Sequence, residues 1–190
     1  MRELVVLRHS LTRKDDDRRA SGSHLSPAGV SLARVLGNTL PAMAYVAVGD
    51  QPRHLETALA LGVAVDEQVS WPSGYVAGEV AHHDQWSWDQ PFVRYAELLA
   101  AGRGLAEVAH VHLDHWRRVL ANVPDGGSGL VVSSGGSIEP VLVAALPSAP
   151  HAGWGGPVHQ LEGAVLSWDG TGFTDLRFLR RPAADGGTRP

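Results

Sequence analysis

Residues 4–7, Leu4-Val5-Val6-Leu7, are an unbroken apolar run that ends against a polar pair, Arg8-His9. A run this short, flanked by polar residues, fits a strand buried on both faces, as strands of a parallel sheet are. The pattern recurs twice. Residues 45–48 read as a second strand, followed by Gly49-Asp50, and residues 130–133 read as a third, followed by Ser134-Gly135-Gly136. Helical stretches separate the strands. Ser26 fits an N-cap and Pro27 a first turn, with Val30, Ala33, Leu36 and Leu40 as the apolar stripe behind them. Residues 52–61 read as a second helix, which Gly62 closes. Leu105, Val108, His112, Trp116 and Val119 mark a helix of about five turns, and residues 138–146 a further crossover helix. Residues 164–168 and 173–179 read as a final strand pair joined at Asp169-Gly170.

Strands alternating with helices predict a three-layer α/β/α sandwich around a mostly parallel sheet with right-handed crossovers. Ligands bind such sheets beyond the carboxyl ends of the strands. His9 and Ser134 are both expected at that rim. Residues 9–24 read as a polar loop. Residues 63–92, rich in Trp, Gly and Pro, read as an insertion or lid over the active site within one domain spanning residues 1–180. The Gly- and Pro-rich tail over residues 181–190 is expected to be disordered.

Composition narrows the functional classes. The chain has no cysteine, which excludes disulfides and thiolate metal sites. A net charge of −4 argues against nucleic-acid partners, and no apolar run is long enough to cross a membrane. No signal-peptide pattern precedes the first strand, so the expected location is cytoplasmic. Neither G-x-G-x-x-G opening a helix nor a P-loop is present, so no cofactor is expected. His82-His83-Asp84 reads poorly as a metal site, because adjacent imidazoles rarely share one ion; no metal is expected. His110, His112 and His115 do not share one helix face.

A neutral imidazole at a strand end can attack phosphorus, provided cations hold the phosphoryl oxygens. Arg8 is adjacent. Arg53 opens the second helix, whose N-terminus itself favours anions. Glu79, in Gly78-Glu79-Val80, is the first candidate for general acid and Asp84 the second, against the alternative of solvated loop carboxylates. Glu139 begins a helix and is expected to serve its dipole. Trp71, Tyr75, Trp86, Trp88 and Phe92 form either a pocket wall for an organic substrate or a local hydrophobic cluster.

These segments together resemble the histidine phosphatase, or phosphoglycerate mutase-like, superfamily, and in particular its small bacterial phosphatases. Arg8-His9 lies on the R-H-G signature, and Thr12 on the threonine that often follows. Leu25-Ser26-Pro27-Ala28-Gly29 resembles the L-T-P-x-G helix opening, and Pro52-Arg53-His54-Leu55-Glu56-Thr57-Ala58 the P-x-R-A-x-x-T-A segment. The resemblance implies that His9 is the phosphorylated nucleophile. It implies that Arg8, Thr12, Arg53, Ser134 and Gly135 bind phosphate, and that a carboxylate in the insertion acts as acid. Three positions depart from the pattern. Ser10 replaces a glycine and is expected to crowd the pocket. Asp50 puts a negative charge beside the phosphate site. Ser134 replaces the second catalytic histidine.

Three functions follow as expectations. The first is a metal-independent phosphohydrolase of small phosphate monoesters, working through phospho-His9 and impaired by Ser134. The second is a repurposed enzyme or ligand-binding protein acting on another organic anion. The third is a pseudoenzyme that regulates a partner through the insertion. A small-molecule substrate is common to the first two, and an edge strand leaves a homodimer open.

Overall fold

The structure, a computed structural model, describes residues 1–181. Six strands form one sheet in the order β3-β2-β4-β1-β5-β6. They are β1 (Arg2–Arg8), β2 (Met43–Gly49), β3 (Glu67–Val69), β4 (Ser128–Ser133), β5 (Gly163–Trp168) and β6 (Phe173–Leu179). β1 to β4 run parallel, whereas β5 is antiparallel to β1 and β6 to β5. The helices are α1 (Arg13–Asp16), α2 (Pro27–Gly37), α3 (Pro52–Leu61), α4 (Pro91–Ala100), α5 (Gly104–Ala121) and α6 (Gly135–Ala145).

The apolar run of β1 is continuous because alternate residues feed opposite cores. Leu4 and Val6 face a cluster with Phe92, Tyr95, Leu105, Trp116 and Ile138 from α4, α5 and α6. Val5 and Leu7 face one with Ala33, Ala58 and Leu61 from α2 and α3. The result is the expected α/β/α layering. All four residues are at most 1% exposed, so truncating Leu7 to alanine costs about 2–5 kcal/mol.

Local chemistry sets the ends of the elements. Ser26 Oγ accepts the Gly29 N–H at 3.1 Å and starts α2. Gly62, at φ 85°, closes α3 in the left-handed conformation that costs a glycine little. Order exceeds expectation in three places. The loop after β1 contains α1, whose first turn is capped by Thr12 and Asp15. The segment 63–92 contributes edge strand β3, a 3₁₀ turn over Asp84–Trp86, and the start of α4 at Pro91. α6 begins at Gly135, three residues earlier than its apolar pattern indicates, because Ser134 is already its N-cap. Apart from Arg181, the tail expected to be disordered lies outside the described residues. Among those residues no helix is long and apolar enough to cross a membrane.

Candidate active site

β2, β4 and β1 are neighbours in the sheet, so the residues that follow them meet at one rim. His9 leaves β1 with its N–H still bonded to the Ser133 carbonyl of β4 at 2.9 Å. Its Nδ1 lies 2.8 Å from the Ser10 carbonyl. A carbonyl can only accept, so Nδ1 carries the proton and Nε2 keeps its lone pair. Burial, followed by the neighbouring Arg8 charge, holds the imidazole pKa well below its ordinary value. The ring is therefore a neutral base at physiological pH.

Arg8 is 8% exposed. Its Nη1 donates to the Val158 carbonyl at 2.8 Å, and its guanidinium lies 5.4 Å from the centre of the Trp86 ring. A Cβ on Gly135 would come within 3.0 Å of Arg8 Cδ, so the glycine at the head of α6 makes room for this side chain. Burial lowers the Arg8 pKa and Glu139 opposes that most strongly. Glu139 is fully buried. Its Oε1 accepts the Val158 N–H at 2.6 Å and its Oε2 accepts the Tyr95 hydroxyl at 3.1 Å. Burial pushes its pKa up to about 7, against Val158, Arg8, Tyr95 and Arg180. Its place is therefore in a buried network behind Arg8, where the sequence pointed only to a helix dipole.

The position expected to hold a second histidine is furnished differently. Ser134 Oγ is 3.0 Å from Nε2 of His54, a buried residue on α3 immediately after Arg53. The His54 and His9 ring centroids are 5.7 Å apart. Burial, then the Arg53 charge, lowers the His54 pKa to about 3. Gly49 is needed beneath the ring, because a Cβ there would collide with His54 Nδ1. Sequence reasoning missed His54. The available signal was an imidazole in the first turn of the helix that carries Arg53.

Arg53, His54, Ser133, Ser134 and Asp50 line a cavity of about 290 Å³, with Tyr75 and His82 from the insertion opposite. His9 is buried and does not itself line this cavity. Arg53 Nη1 donates to the Gly22 carbonyl at 3.3 Å, while its buried Nε has no protein partner. Asp50 is exposed at the mouth, its pKa lowered chiefly by the Ser70 hydroxyl. A larger cleft of about 630 Å³ lies between the end of α6 and β6, but Asp175 is its one ionisable lining residue.

The remaining candidates are engaged elsewhere. The Thr12 hydroxyl donates to Asp15 Oδ2 at 2.7 Å, so the cap of α1 takes the group expected to bind phosphate. Both Glu79 oxygens accept backbone N–H groups of α5, from Gly104 at 2.8 Å and Leu105 at 3.1 Å. Glu79 caps a helix and does not line the cavity. Asp84 Oδ2 accepts the Ala81 N–H at 2.7 Å. Ser10 does not crowd the pocket. Its hydroxyl donates to the Gly29 carbonyl at 2.8 Å, and its N–H donates to Thr57 Oγ1 at 3.0 Å. His82 and His83 stack at 3.8 Å, with Tyr75 against His82. Among the described residues, no group of three or more His, Asp or Glu side chains is arranged to hold a metal ion.

The mixed, mostly parallel sheet between two helical layers is the phosphoglycerate mutase-like fold. Solved structures of that class superpose on nearly the whole chain. Bacillus stearothermophilus YhfR matches with a TM-score of 0.60 and 20% identity, over 92% of this chain and 95% of its own. Phosphoserine phosphatase from Entamoeba histolytica, solved with 3-phosphoglyceric acid, gives a TM-score of 0.63 at 15% identity, over 95% and 98%. Phosphoglycerate mutase from Bacillus anthracis gives 0.59 at 16%, over 90% of each chain. No protein-family model matches the sequence, and no curated protein matches it significantly. At these identities the likeness speaks for the fold, and the chemistry rests on the site itself.

Proposed function

We propose that this protein is a phosphohydrolase that acts on small phosphate monoesters through a phosphohistidine at His9. The observation that carries the reading is the Nδ1 contact with the Ser10 carbonyl, which leaves Nε2 unprotonated beside a buried Arg8. Nε2 attacks phosphorus, a P–N bond forms and the ester P–O bond breaks, its electron pair leaving on the alcohol oxygen, which takes a proton from solvent. Arg8 and Arg53 neutralise the phosphoryl oxygens, and the positive ends of the α3 and α6 dipoles add to them. Water then displaces the phosphoryl group from Nε2. Gly135 serves by admitting Arg8. The Ser134 hydroxyl supplies a shorter, uncharged contact where an imidazole is usual in this class. Trp86 lies over Arg8 and His9 is 7% exposed, so the insertion acts as a cover that opens for substrate.

The test is turnover of a generic aryl phosphate in the presence of a chelator, on the parent chain and on His9→Ala and Arg53→Ala. The reading expects turnover by the parent, its loss in His9→Ala, and a fall of about 10²–10³ in kcat for Arg53→Ala. Equal turnover by the parent and His9→Ala contradicts it.

A further inference from the structure

We infer that His54 and Ser134 form a proton relay that takes the proton of the attacking water when the phosphoryl group leaves His9. The inference rests on the phosphohistidine reading above. That reaction needs a group to accept a proton next to the phosphorus, and the carboxylates the sequence offered are committed elsewhere. Glu79 holds the N-terminus of α5, Asp84 holds the Ala81 N–H, and Glu139 is fixed between Val158 and Tyr95. Of the ionisable groups that line the cavity, Asp50 bonds Gln51 at 3.2 Å and His82 is stacked on His83. His54 is different. Its Nε2 is 3.0 Å from Ser134 Oγ, both residues line the same cavity, and its ring is 5.7 Å from that of His9. No step of the phosphoryl transfer otherwise uses this buried imidazole.

The relay works as follows. With its own proton on Nδ1, neutral His54 accepts the Ser134 hydroxyl hydrogen at Nε2. A water in the cavity donates to Ser134 Oγ. As the water oxygen bonds to phosphorus, its proton passes to Oγ and the serine proton passes to Nε2. The P–N bond breaks, and its electron pair returns to His9 Nε2. The phosphoryl anion beside the pair offsets the burial and the Arg53 charge that otherwise disfavour the His54 imidazolium; once hydrogen phosphate leaves, the imidazolium releases its proton to solvent. Ser134 touches the water, and His54 acts through Ser134. The pair draws on two elements, α3 for His54 and the N-cap of α6 for Ser134.

Rapid mixing of the full chain with an aryl phosphate separates the two half-reactions. His54→Gln should form phospho-His9 at the parental rate, whereas Ser134→Ala, which also loses its phosphoryl contact, should form it more slowly. Each should then turn over about 100-fold more slowly, with phosphoenzyme accumulating after a burst of released aryl alcohol. A structural role of His54 alone would slow both phases of His54→Gln together. Parental turnover in both variants overturns the relay, as does failure of both variants to form the phosphoenzyme that the parent forms. If the parent forms no phosphoenzyme, the underlying phosphohistidine reading fails and the relay falls with it.

Discussion

Arg8 and Glu139 are held by the two backbone groups of one residue, Val158. Arg8 Nη1 donates to its carbonyl at 2.8 Å, and Glu139 Oε1 accepts its N–H at 2.6 Å. The segment between a 3₁₀ helix over His151–Trp154 and β5 thus fixes a cation of the site and a buried carboxyl at once. Displacing Val158 disturbs both.

The Glu139 carboxyl titrates at about 7 in the folded chain because it is fully buried. A carboxyl raised above its unfolded value binds its proton more tightly when folded. Its stabilising contribution is complete below the unfolded pKa, near 4.5, and is lost as pH rises through about 7. The parent should therefore lose about 3 kcal/mol relative to Glu139→Gln between those limits. Denaturant melts of both proteins across that window measure it. A constant difference contradicts the assignment.

His54 shifts the other way. Its folded pKa of about 3 lies below the ordinary imidazole value, so stability is present above pH 6.5 and is lost as pH falls towards 3. The loss amounts to about 1.4 kcal/mol per pH unit through that window. Replacing His54 by Gln should flatten the acid limb of the stability profile. An acid limb identical to the parent's places the titrating group elsewhere.

Glu79→Ala removes the acceptor for two N–H groups at the start of α5. The expected cost is about 1–2 kcal/mol of stability, with the kcat of aryl phosphate hydrolysis unchanged. Thermal melts and initial rates together decide the matter. Loss of kcat without loss of stability would return Glu79 to the role of acid.

Ser134→His alone brings a second imidazole against His54 Nε2, which already sits 3.0 Å from the serine oxygen. The double variant His54→Ala/Ser134→His opens that space. It should turn over aryl phosphate about 10²-fold or more faster than Ser134→His alone, by restoring a phosphoryl contact. Equal rates for the two would mean that the position 134 imidazole cannot reach the phosphoryl group.

Much of this architecture is legible in the sequence where local physics decides. β1 follows from its apolar run, although it extends to Arg2 and Arg8 on either side, and α3 follows to the residue from Pro52 and Gly62. α4 was legible in principle: Pro91 opens it, and Phe92 and Tyr95 bury one face. The Trp- and Gly-rich segment before it hid that periodicity. Arg8, His9 and Arg53 were legible because strand ends and helix starts are fixed by short patterns. The partners of His54 and Glu139 were not. Ser134 lies 80 residues from His54, and Tyr95 lies 44 from Glu139, so only the packed sheet and helices bring them together. Thr12 and Glu79 read as chemical candidates in the sequence because helix capping uses the same side chains.

The most direct measurement is the mass of the chain quenched in mid-reaction with an aryl phosphate under alkaline, denaturing conditions that preserve phosphohistidine, followed by peptide mapping. The account predicts one phosphoryl group on the peptide carrying His9 and none in His9→Ala. An unmodified His9 during active turnover, or a phosphoryl group on another residue, would contradict it.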